Sequence, residues 1–330
     1  MAAACSSGSS SAGNGSPSAS VGTSLQDLYT EAKKEGKIVL WGGEDPAEMQ
    51  EAFAEFSKTY PGLKLETTAV NPDQQASKLV TGKAAGQSLP DIIQGRKEFM
   101  PTLVSSKLVN TDPKWASYNV TSNIISPDGG LLEYRSVYAL AYNKNSIPDK
   151  STVPATWDAL NDAKWKGQLS LDPRGFPFNI LAVSKGESDT VSYVKSLKST
   201  TSPKLVKGST AGLVNLSAGA QTLRPAALED VKTQLAKNAP IDFVIPTPVL
   251  VQDTLWYLTA DSPDKYAALL FAIWFTSASG GQAFTATKDN RTNQLPAEAQ
   301  GKQVVTYSTD EQAALVAKVT GEIATALGGS

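Results

Sequence analysis

The N-terminal third of the chain alternates helical spacing of apolar residues with short apolar runs that end near glycine. The segment 24–36 starts with Ser24 as a helix cap, places Leu25, Leu28 and Ala32 on one face and stops at Gly36. The segments that follow read in turn as strand, helix, strand, helix and strand: KIVLWGG, EDPAEMQEAFAEFSKTYPG, KLETTAV, NPDQQASKLVTGKAAG and PDIIQG. This alternation predicts an α/β lobe with a largely parallel sheet.

Ligands bind to such sheets at the carboxyl ends of the strands. The rule selects the residues after the first and third strands of this lobe. These residues are Gly42, Gly43 and Glu44, and Gln94, Gly95 and Arg96.

The pattern of the middle and C-terminal regions predicts a second lobe. GLLEYRSVYALAYNKNSI, 130–147, is long enough to leave one lobe and enter another, and a helix capped by Thr156 precedes a strand, GQLSLD. The segment 204–225 reads as strand, turn, helix and strand, and APIDFVIPTPV as an extended segment. Further helices are predicted at 180–187, 189–198, 226–237, 264–277 and 309–327.

Composition excludes several classes of function. With 330 residues the chain fits about two domains, and a net charge of −2 leaves no basic surface for nucleic acid. It has no histidine and one cysteine, so it cannot build a typical zinc site, a Ser-His-Asp triad or a Cys-His pair. The longest apolar run, 266–275, is shorter than the roughly 20 residues of a membrane span, and it predicts a buried helix in a soluble protein.

The first 22 residues are a low-complexity Ser, Gly and Ala segment that predicts a disordered tether. Cys5 follows three alanines and precedes this tether, which is similar to the cleavage site of a bacterial lipoprotein signal. Ala2 stands where such signals usually carry leucine, and a chance cysteine in a linker is the alternative. The interpretation predicts a protein anchored to the outer face of the cell membrane, or periplasmic, whose only membrane contact is a lipid on Cys5.

Several segments, in this order, resemble the solute-binding proteins of ABC importers. The resemblance is to the type II periplasmic-binding fold and its ferric-ion-binding-like branch. It covers most of residues 36–284, and its most specific part is YNK followed by a TWDAL helix and a KWKGQLSL strand. The matching segments are GKIVLWGGEDPAEMQEAFAEFSKTYPGLKLE, PDIIQG, VYALAYNKNSIP, VPATWDALNDAKWKGQLSLDPRG, KNAPIDFVIP and DKYAALLFAIWFTSASGGQAF.

The resemblance implies two Rossmann-like α/β lobes joined by a hinge, with a ligand cleft between them that closes on the solute. We expect lobe I to comprise 23–137 and 248–285, and lobe II to comprise 138–247 and 286–330. The implied function is capture of a solute, without a cofactor and as a monomer, and its delivery to the permease of an ABC transporter. No enzymatic activity is expected.

The resemblance also implies ligand contacts at two loops. The first follows strand one and contains Trp41, Gly43 and Glu44, and the second contains Arg174, Gly175 and Phe176 at a helix start. Iron-binding members carry a tyrosine pair at the position of Gln221–Arg224, and this chain has none there. The replacement favours an anion over a metal ion, and iron binding is therefore not expected.

Only five of the 30 basic residues are arginines, whose planar guanidinium suits bidentate contacts to anions. We expect Arg96, Arg174 and Arg224 to converge on the cleft, although lineage bias or interlobe ion pairs would also explain them. Arg135 is expected to be structural and Arg291 solvated.

Aromatic and hydroxyl residues complete the predicted ligand site. Trp41, Tyr138, Phe176 and Phe178 are candidates to line a pocket, with core packing as the alternative. Polar candidates lie around the turn and helix of 209–215 and at the strand that follows: Ser209, Thr210, Asn215 and Thr222. Helix capping explains Ser209 and Thr210 equally well.

Together these features predict binding of a small anionic organic solute, such as a carboxylate, phosphonate or phosphate ester. The alternatives are a sugar-binding or ferric-ion-binding member of the same fold. A hydrolase is a further alternative, but its carboxylates, including Glu229 and Asp230, are expected on solvated helix faces.

Overall fold

The structure is a computed structural model that describes residues 24–43, 45–262 and 264–328. Ten strands lie in this part of the chain: β1 (Lys37–Gly42), β2 (Lys64–Ala69), β3 (Ile92–Gly95), β4 (Leu131–Asn143), β5 (Ser170–Leu171), β6 (Lys204–Leu205), β7 (Leu223–Ala227), β8 (Ile241–Val244), β9 (Val249–Leu258) and β10 (Val304–Val305).

Eleven α-helices are present in the same residues: α1 (Leu25–Glu35), α2 (Pro46–Thr59), α3 (Pro72–Ala84), α4 (Met100–Ser105), α5 (Ala182–Lys185), α6 (Glu187–Thr201), α7 (Ser209–Ser217), α8 (Leu228–Ala236), α9 (Lys265–Thr276), α10 (Gly281–Lys288) and α11 (Asp310–Leu327). The predicted α/β class is confirmed.

One sheet connects the two lobes, with the order β2-β1-β3-β9-β4-β7, β10 beside β9 and β8 beside β4. Strand β1 pairs in parallel with β2 and β3, as expected for the first lobe. The long strands β4 and β9 pair antiparallel, and the second half of β4 continues into the other lobe against β7 and β8. The connection between lobes is therefore sheet backbone, which positions the residues of both lobes around one cleft.

Each lobe has its own core. In the first, α1, α2 and α9 cover the sheet and bury Phe56, Trp256 and Phe271, whose rings pack at 5.3 to 6.1 Å between centroids in edge contacts. In the second, Trp157 and Phe178 pack edge to face at 5.8 Å beneath α6 and α11. Phe178 is thus a core residue and not a pocket residue, in agreement with the alternative of core packing.

Some element boundaries differ from the sequence-based expectation. The segment after Thr156 forms two short 3-10 turns instead of one helix, because Asp162 accepts from the backbone of Lys164 and starts a second turn. The helix expected at 226–237 begins at Leu228, since Ala226 and Ala227 pair with β4. Strand β9 was not predicted as a separate element.

No individual helix in the described residues has the length and hydropathy of a membrane span, although α9 and α10, bent by 55° at their junction, pass that test as a pair. Helix α9 is almost entirely buried in the core of the first lobe.

Candidate functional site

The cleft between the lobes consists of two adjoining chambers. The inner chamber has a volume of about 280 Å³ and the outer chamber about 320 Å³. Five residues line both: Gly43, Arg96, Tyr134, Arg174 and Phe176. The other inner-chamber residues are Ser136, Tyr138, Asp172, Ser209, Thr210, Arg224, Pro225, Ala227, Glu229, Asp230 and Arg291. The other outer-chamber residues are Asn71, Pro72, Asp73, Gln94, Phe99, Lys207, Thr254, Thr320, Gly321 and Ala324.

The loop after β5 holds Arg174 at the junction of the two chambers. Asp172 accepts from Nε and Nη2 of Arg174 at 3.0 and 2.8 Å, and from the Arg174 backbone N–H at 2.9 Å. Burial raises the pKa of Asp172, but these hydrogen bonds outweigh it, so the pKa lies below its ordinary value. The ion pair fixes the guanidinium and leaves Nη1 unused by Asp172, so Arg174 is preorganised to donate to a ligand.

The guanidinium groups of two arginines, one after β3 and one after β5, lie near the ring of Phe176. The guanidinium carbon of Arg174 is 5.2 Å from the ring centroid and that of Arg96 is 5.6 Å away. Such cation–π contacts orient a guanidinium without using its N–H donors. Because Asp172 already engages Nε and Nη2 of Arg174, the donors that remain for an anion are Nη1 of Arg174 and the guanidinium of Arg96.

Arg96 follows β3 and brings a charge from the first lobe. Burial lowers its pKa, but neighbouring Tyr138 and Glu98 raise it by more, so the guanidinium pKa is above its ordinary value. Its Nε is buried and has no hydrogen-bond partner in the described residues. The residue is a permanent cation with unused donor capacity.

Arg224 also lines the inner chamber, but its donors face inward. The side chain is 1% exposed, and its Nη atoms donate to Ser170 Oγ and to the carbonyls of Val206 and Gly208. Gly212 allows this position, because a Cβ there would lie 1.9 Å from the guanidinium carbon. Arg224 thus holds the segment before α7 in place.

The start of α7 forms a wall of the inner chamber. Asp172 Oδ2 accepts from the backbone N–H of Gly208 at 2.8 Å, which ties this helix start to the loop that carries Arg174. Ser209 Oγ accepts from the backbone N–H of Ala227, and Thr210 is a further wall residue. The N–H groups of a first helical turn have no partner within the helix and favour an anion.

One face of β4 forms the floor of the inner chamber. Tyr134, Ser136 and Tyr138 alternate along the strand, so their side chains point to the same side. Ser136 donates to Glu229 Oε1 at 2.5 Å, and Tyr138 donates to Gln252 Oε1 at 3.1 Å. Burial is the main cause that raises the pKa of Glu229 to about 7, and Asp230 adds to it.

Gly43 lies where the loop after β1 meets both chambers. Its backbone N–H donates to Gln94 Oε1 at 2.9 Å, and the Gln94 amide donates to Glu133. Buried Gln75 donates to the carbonyls of Val70 and Gln94, which holds the ends of β2 and β3 together. Polar side chains therefore fix the strand ends of the first lobe.

The structure brings seven of the predicted ligand residues to the cleft. These are Gly43, Arg96, Tyr138, Arg174, Phe176, Thr210 and Arg224. Glu44 and Cys5 lie outside the described residues.

Five predicted ligand residues do not line either chamber. Trp41 packs against the cluster around Leu79 and Ile93, and Gly95 lies against Met100 and Tyr257. Gly175 has φ +91°, and a Cβ there would lie 2.6 Å from Ile323, so α11 and the backbone require this glycine. The other two are Asn215, whose carbonyl accepts from the backbone of Ala220 after α7, and Thr222, whose backbone bonds to Asn143 and Gln168.

Two expectations about charged residues are wrong. Arg291 is not a fully solvated loop residue, because its side chain is only 21% exposed and its guanidinium carbon lies 5.2 Å from the Tyr134 ring centroid at the inner chamber. Glu229 is 8% exposed and does not lie on a solvated helix face. In the sequence, the alternation of Tyr134, Ser136 and Tyr138 was the local pattern that could have indicated the floor of the inner chamber. No pattern near Glu229 indicates that this residue is buried.

Four arginines and three carboxylates line the inner chamber. Pairing of Asp172 with Arg174 leaves three arginines and two carboxylates, and the pKa of one of these, Glu229, is raised, so the chamber suits a ligand of negative charge. Within the described residues there is no group of three or more Cys, Asp or Glu side chains arranged to hold a metal ion.

Residues 41–282 match the family model of the bacterial extracellular solute-binding proteins. The chain belongs to this family. Its members are binding proteins associated with transport and not a family of enzymes. No curated protein sequence matches the chain.

Solved structures of solute-binding proteins share the fold. Iron-bound HitA from Pseudomonas aeruginosa has a TM-score of 0.74 at 15% identity, over 88% of this chain and 99% of that one. The substrate-binding protein of an ABC transporter from Agrobacterium tumefaciens has a TM-score of 0.69 at 14% identity, over 88% and 96%. AfuA from Actinobacillus pleuropneumoniae, bound to fructose-6-phosphate, has a TM-score of 0.67 at 18% identity, over 88% and 99%.

These similarities confirm the two-lobed periplasmic-binding fold with a cleft between the lobes. At such identities they support the architecture of this solute-binding protein and not its ligand.

Proposed function

We propose that the protein is the extracytoplasmic solute receptor of an ABC importer and captures a small anionic organic solute in the inner chamber. The observation that carries this proposal is the pair of arginines, Arg96 and Arg174, held on the ring of Phe176 from opposite lobes. A ligand that contacts both arginines joins the lobes and favours the closed state. The closed form is then the form that the permease binds.

The inner chamber supports an anion through three kinds of donor. Arg174 is oriented by Asp172, Arg96 lines the same chamber, and Ser209 and Thr210 bring the first turn of α7 to its wall. A phosphate, phosphonate or carboxylate accepts hydrogen bonds from all three.

A ferric ion is the second candidate, because HitA contains iron in the same fold. Tyr134 and Tyr138 line the inner chamber, and phenolates are suitable ligands for Fe(III). Burial raises the pKa of Tyr138, however, and its hydroxyl donates to Gln252. Four arginines outnumber the three carboxylates around the same space, which also opposes a trivalent cation, so we favour the anion.

The proposal is tested by calorimetric titration of the purified protein with inorganic phosphate, phosphomonoesters, phosphonates, carboxylates, a neutral sugar and ferric citrate. We expect binding by one or more of the organic anions. Binding of only the neutral sugar, or ferric-ion binding that organic anions do not reproduce, would contradict it.

Opposite substitutions in one ion pair sharpen the test. Arg174→Ala removes charge-assisted hydrogen bonds of about 1.5–3 kcal/mol, which corresponds to roughly 10- to 100-fold weaker anion binding. Asp172→Asn removes the ion pair that orients Arg174 but leaves the guanidinium in place, so we expect a smaller loss of anion binding than in Arg174→Ala. Equal losses in both variants would assign Arg174 a structural role, and unfolding midpoints check that both variants fold.

A further inference from the structure

The outer chamber has a composition different from that of the inner one. Phe99, Phe176, Pro72 and Ala324 give it apolar surface, and the start of α3 and the hydroxyl of Thr254 add polar groups. Its volume of about 320 Å³ corresponds to roughly ten water molecules at ~30 Å³ each. It is therefore large enough for a solute body of several carbons.

Thr254 carries an unused hydroxyl at the wall of this chamber. The residue is 3% exposed, and its Oγ1 is buried without a hydrogen-bond partner in the described residues. A buried hydroxyl without a partner is unfavourable, since it has lost its hydrogen bonds to water. A hydroxyl of a bound solute would satisfy it.

Helix α11 faces the start of α3 across the chamber with small side chains. Thr320, Gly321 and Ala324 line the wall, and a Cβ placed on Gly321 would meet no atom within 4 Å. Thr320 Oγ1 is already engaged with Asn179 and Val316, so it shapes the wall without a free donor. Gly321 is an exposed wall residue of the chamber, so a larger side chain there would meet no packing contact.

We infer that the outer chamber is a second subsite, which holds the hydroxylated carbon body of a phosphorylated solute, with Thr254 and Gly321 as its specificity-determining residues. The inference rests on the proposed function, because the anionic group occupies the inner chamber. Arg96, Arg174 and Phe176 line both chambers, so one solute passes between them with its charge inside and its body against α11. Gly321 sets the size of the body, and Thr254 recognises a hydroxyl.

The experiment compares three probes by calorimetry: inorganic phosphate, glycerol 3-phosphate and glucose 6-phosphate. In the unmodified protein we expect at least one ester to bind ten-fold or more tightly than phosphate. Gly321→Leu fills the outer chamber and should weaken ester binding at least ten-fold, while phosphate affinity changes less than three-fold. Ala314→Leu adds the same side chain at an exposed position of α11 outside the chamber and should alter neither.

Thr254→Val tests whether the hydroxyl binds the solute or stabilises the fold, because the two roles predict different unfolding midpoints. Valine preserves the shape and removes the hydroxyl, so we expect weaker ester binding together with an unchanged or higher unfolding midpoint of the free protein. A hydroxyl needed for folding would lower that midpoint.

The outcomes separate the two levels of the proposal. Absence of binding by phosphate and by both esters would overturn the anion-binding function, and the subsite with it. Three results would overturn the subsite assignment alone. Phosphate could bind as tightly as the esters, Gly321→Leu could affect phosphate and esters equally, or Thr254→Val could leave ester binding unchanged.

Discussion

The carboxyl of Glu229 makes the charge of the inner chamber depend on pH. Its pKa is raised from the ordinary value of 4.5 to about 7, with burial as the largest cause. The folded protein therefore holds a proton that the unfolded chain releases between these two values. The protonated Glu229 carboxyl therefore contributes fully to the free energy of unfolding below pH 4.5, and this contribution is lost as pH rises to about 7.

We expect Glu229→Gln to become more stable relative to the unmodified protein as pH rises from 5 to 8. The amide keeps an acceptor for Ser136 and stays neutral, whereas the carboxyl must ionise in a buried site. One pKa unit corresponds to about 1.36 kcal/mol, so the relative stability should change by roughly 3 kcal/mol. Urea unfolding at several pH values measures this difference.

Glu187→Gln is the matched control, because Glu187 pairs with Lys318 at the surface. Its stability difference from the unmodified protein should vary little over the same range. A Glu229→Gln difference that is equally flat would show that Glu229 is ionised throughout.

At the scale of an element, two helical glycines serve opposite purposes. In α7, a Cβ on Gly212 would lie 1.9 Å from the guanidinium carbon of Arg224, whereas a Cβ on Gly321 in α11 meets open space. Glycine in a helix interior costs roughly 0.5–1 kcal/mol relative to alanine. Packing against Arg224 therefore requires glycine at position 212, whereas no packing contact requires glycine at position 321.

We expect Gly212→Ala to destabilise the protein by about 1–3 kcal/mol, because the added methyl displaces Arg224 and the segment before α7. Gly321→Ala should instead stabilise it by about 0.5–1 kcal/mol. Chemical denaturation of both variants compares the two signs directly. Stabilisation by Gly212→Ala would mean that Arg224 does not occupy the space beside this helix.

At the scale of the whole molecule, a buried hydrogen-bond network joins the lobes behind the cleft. Tyr307, just before α11, donates to Glu98 Oε2 at 2.5 Å, and Gln252 of β9 donates to Glu98 Oε1 at 3.0 Å. Tyr138 of β4 completes the network through Gln252. Both crossing strands and the turn after Arg96 therefore share one set of polar contacts.

Tyr307→Phe should destabilise the protein by about 1–3 kcal/mol, because it removes a donor from a buried carboxylate. Burial raises the pKa of Glu98, and loss of the Tyr307 donor should raise it further. The loss of stability should accordingly be larger at pH 8 than at pH 5. Thermal unfolding at both pH values measures it.

Tyr142→Phe is the comparison for this substitution, since Tyr142 donates to Asp242, whose carboxylate is half-buried and also accepts from Lys150. It should cost less and show little change between the two pH values. Equal costs for the two tyrosines would argue against a special role of the network behind the cleft.

Much of the fold followed from local patterns. Apolar spacing and helix caps identified β1 to β3 and helices α1 to α3 nearly to their ends, since these signals depend on neighbouring residues. The rule for strand ends selected Gly43 and Arg96, which both line the cleft. The fold class and these two positions were accessible because each depends on a short stretch of chain.

The orientation of the other cleft residues depends on segments far apart in the sequence. Arg224 and Arg291 have the same side chain, yet packing on Gly212 turns the first toward backbone carbonyls and Tyr134 holds the second at the inner chamber. The outer chamber joins α3 to α11 across about 250 residues, so no local pattern marks Gly321 as a wall residue. Local patterns determined which elements form, because helix and strand preferences act between near neighbours, whereas the tertiary packing decided which side chains reach the cleft.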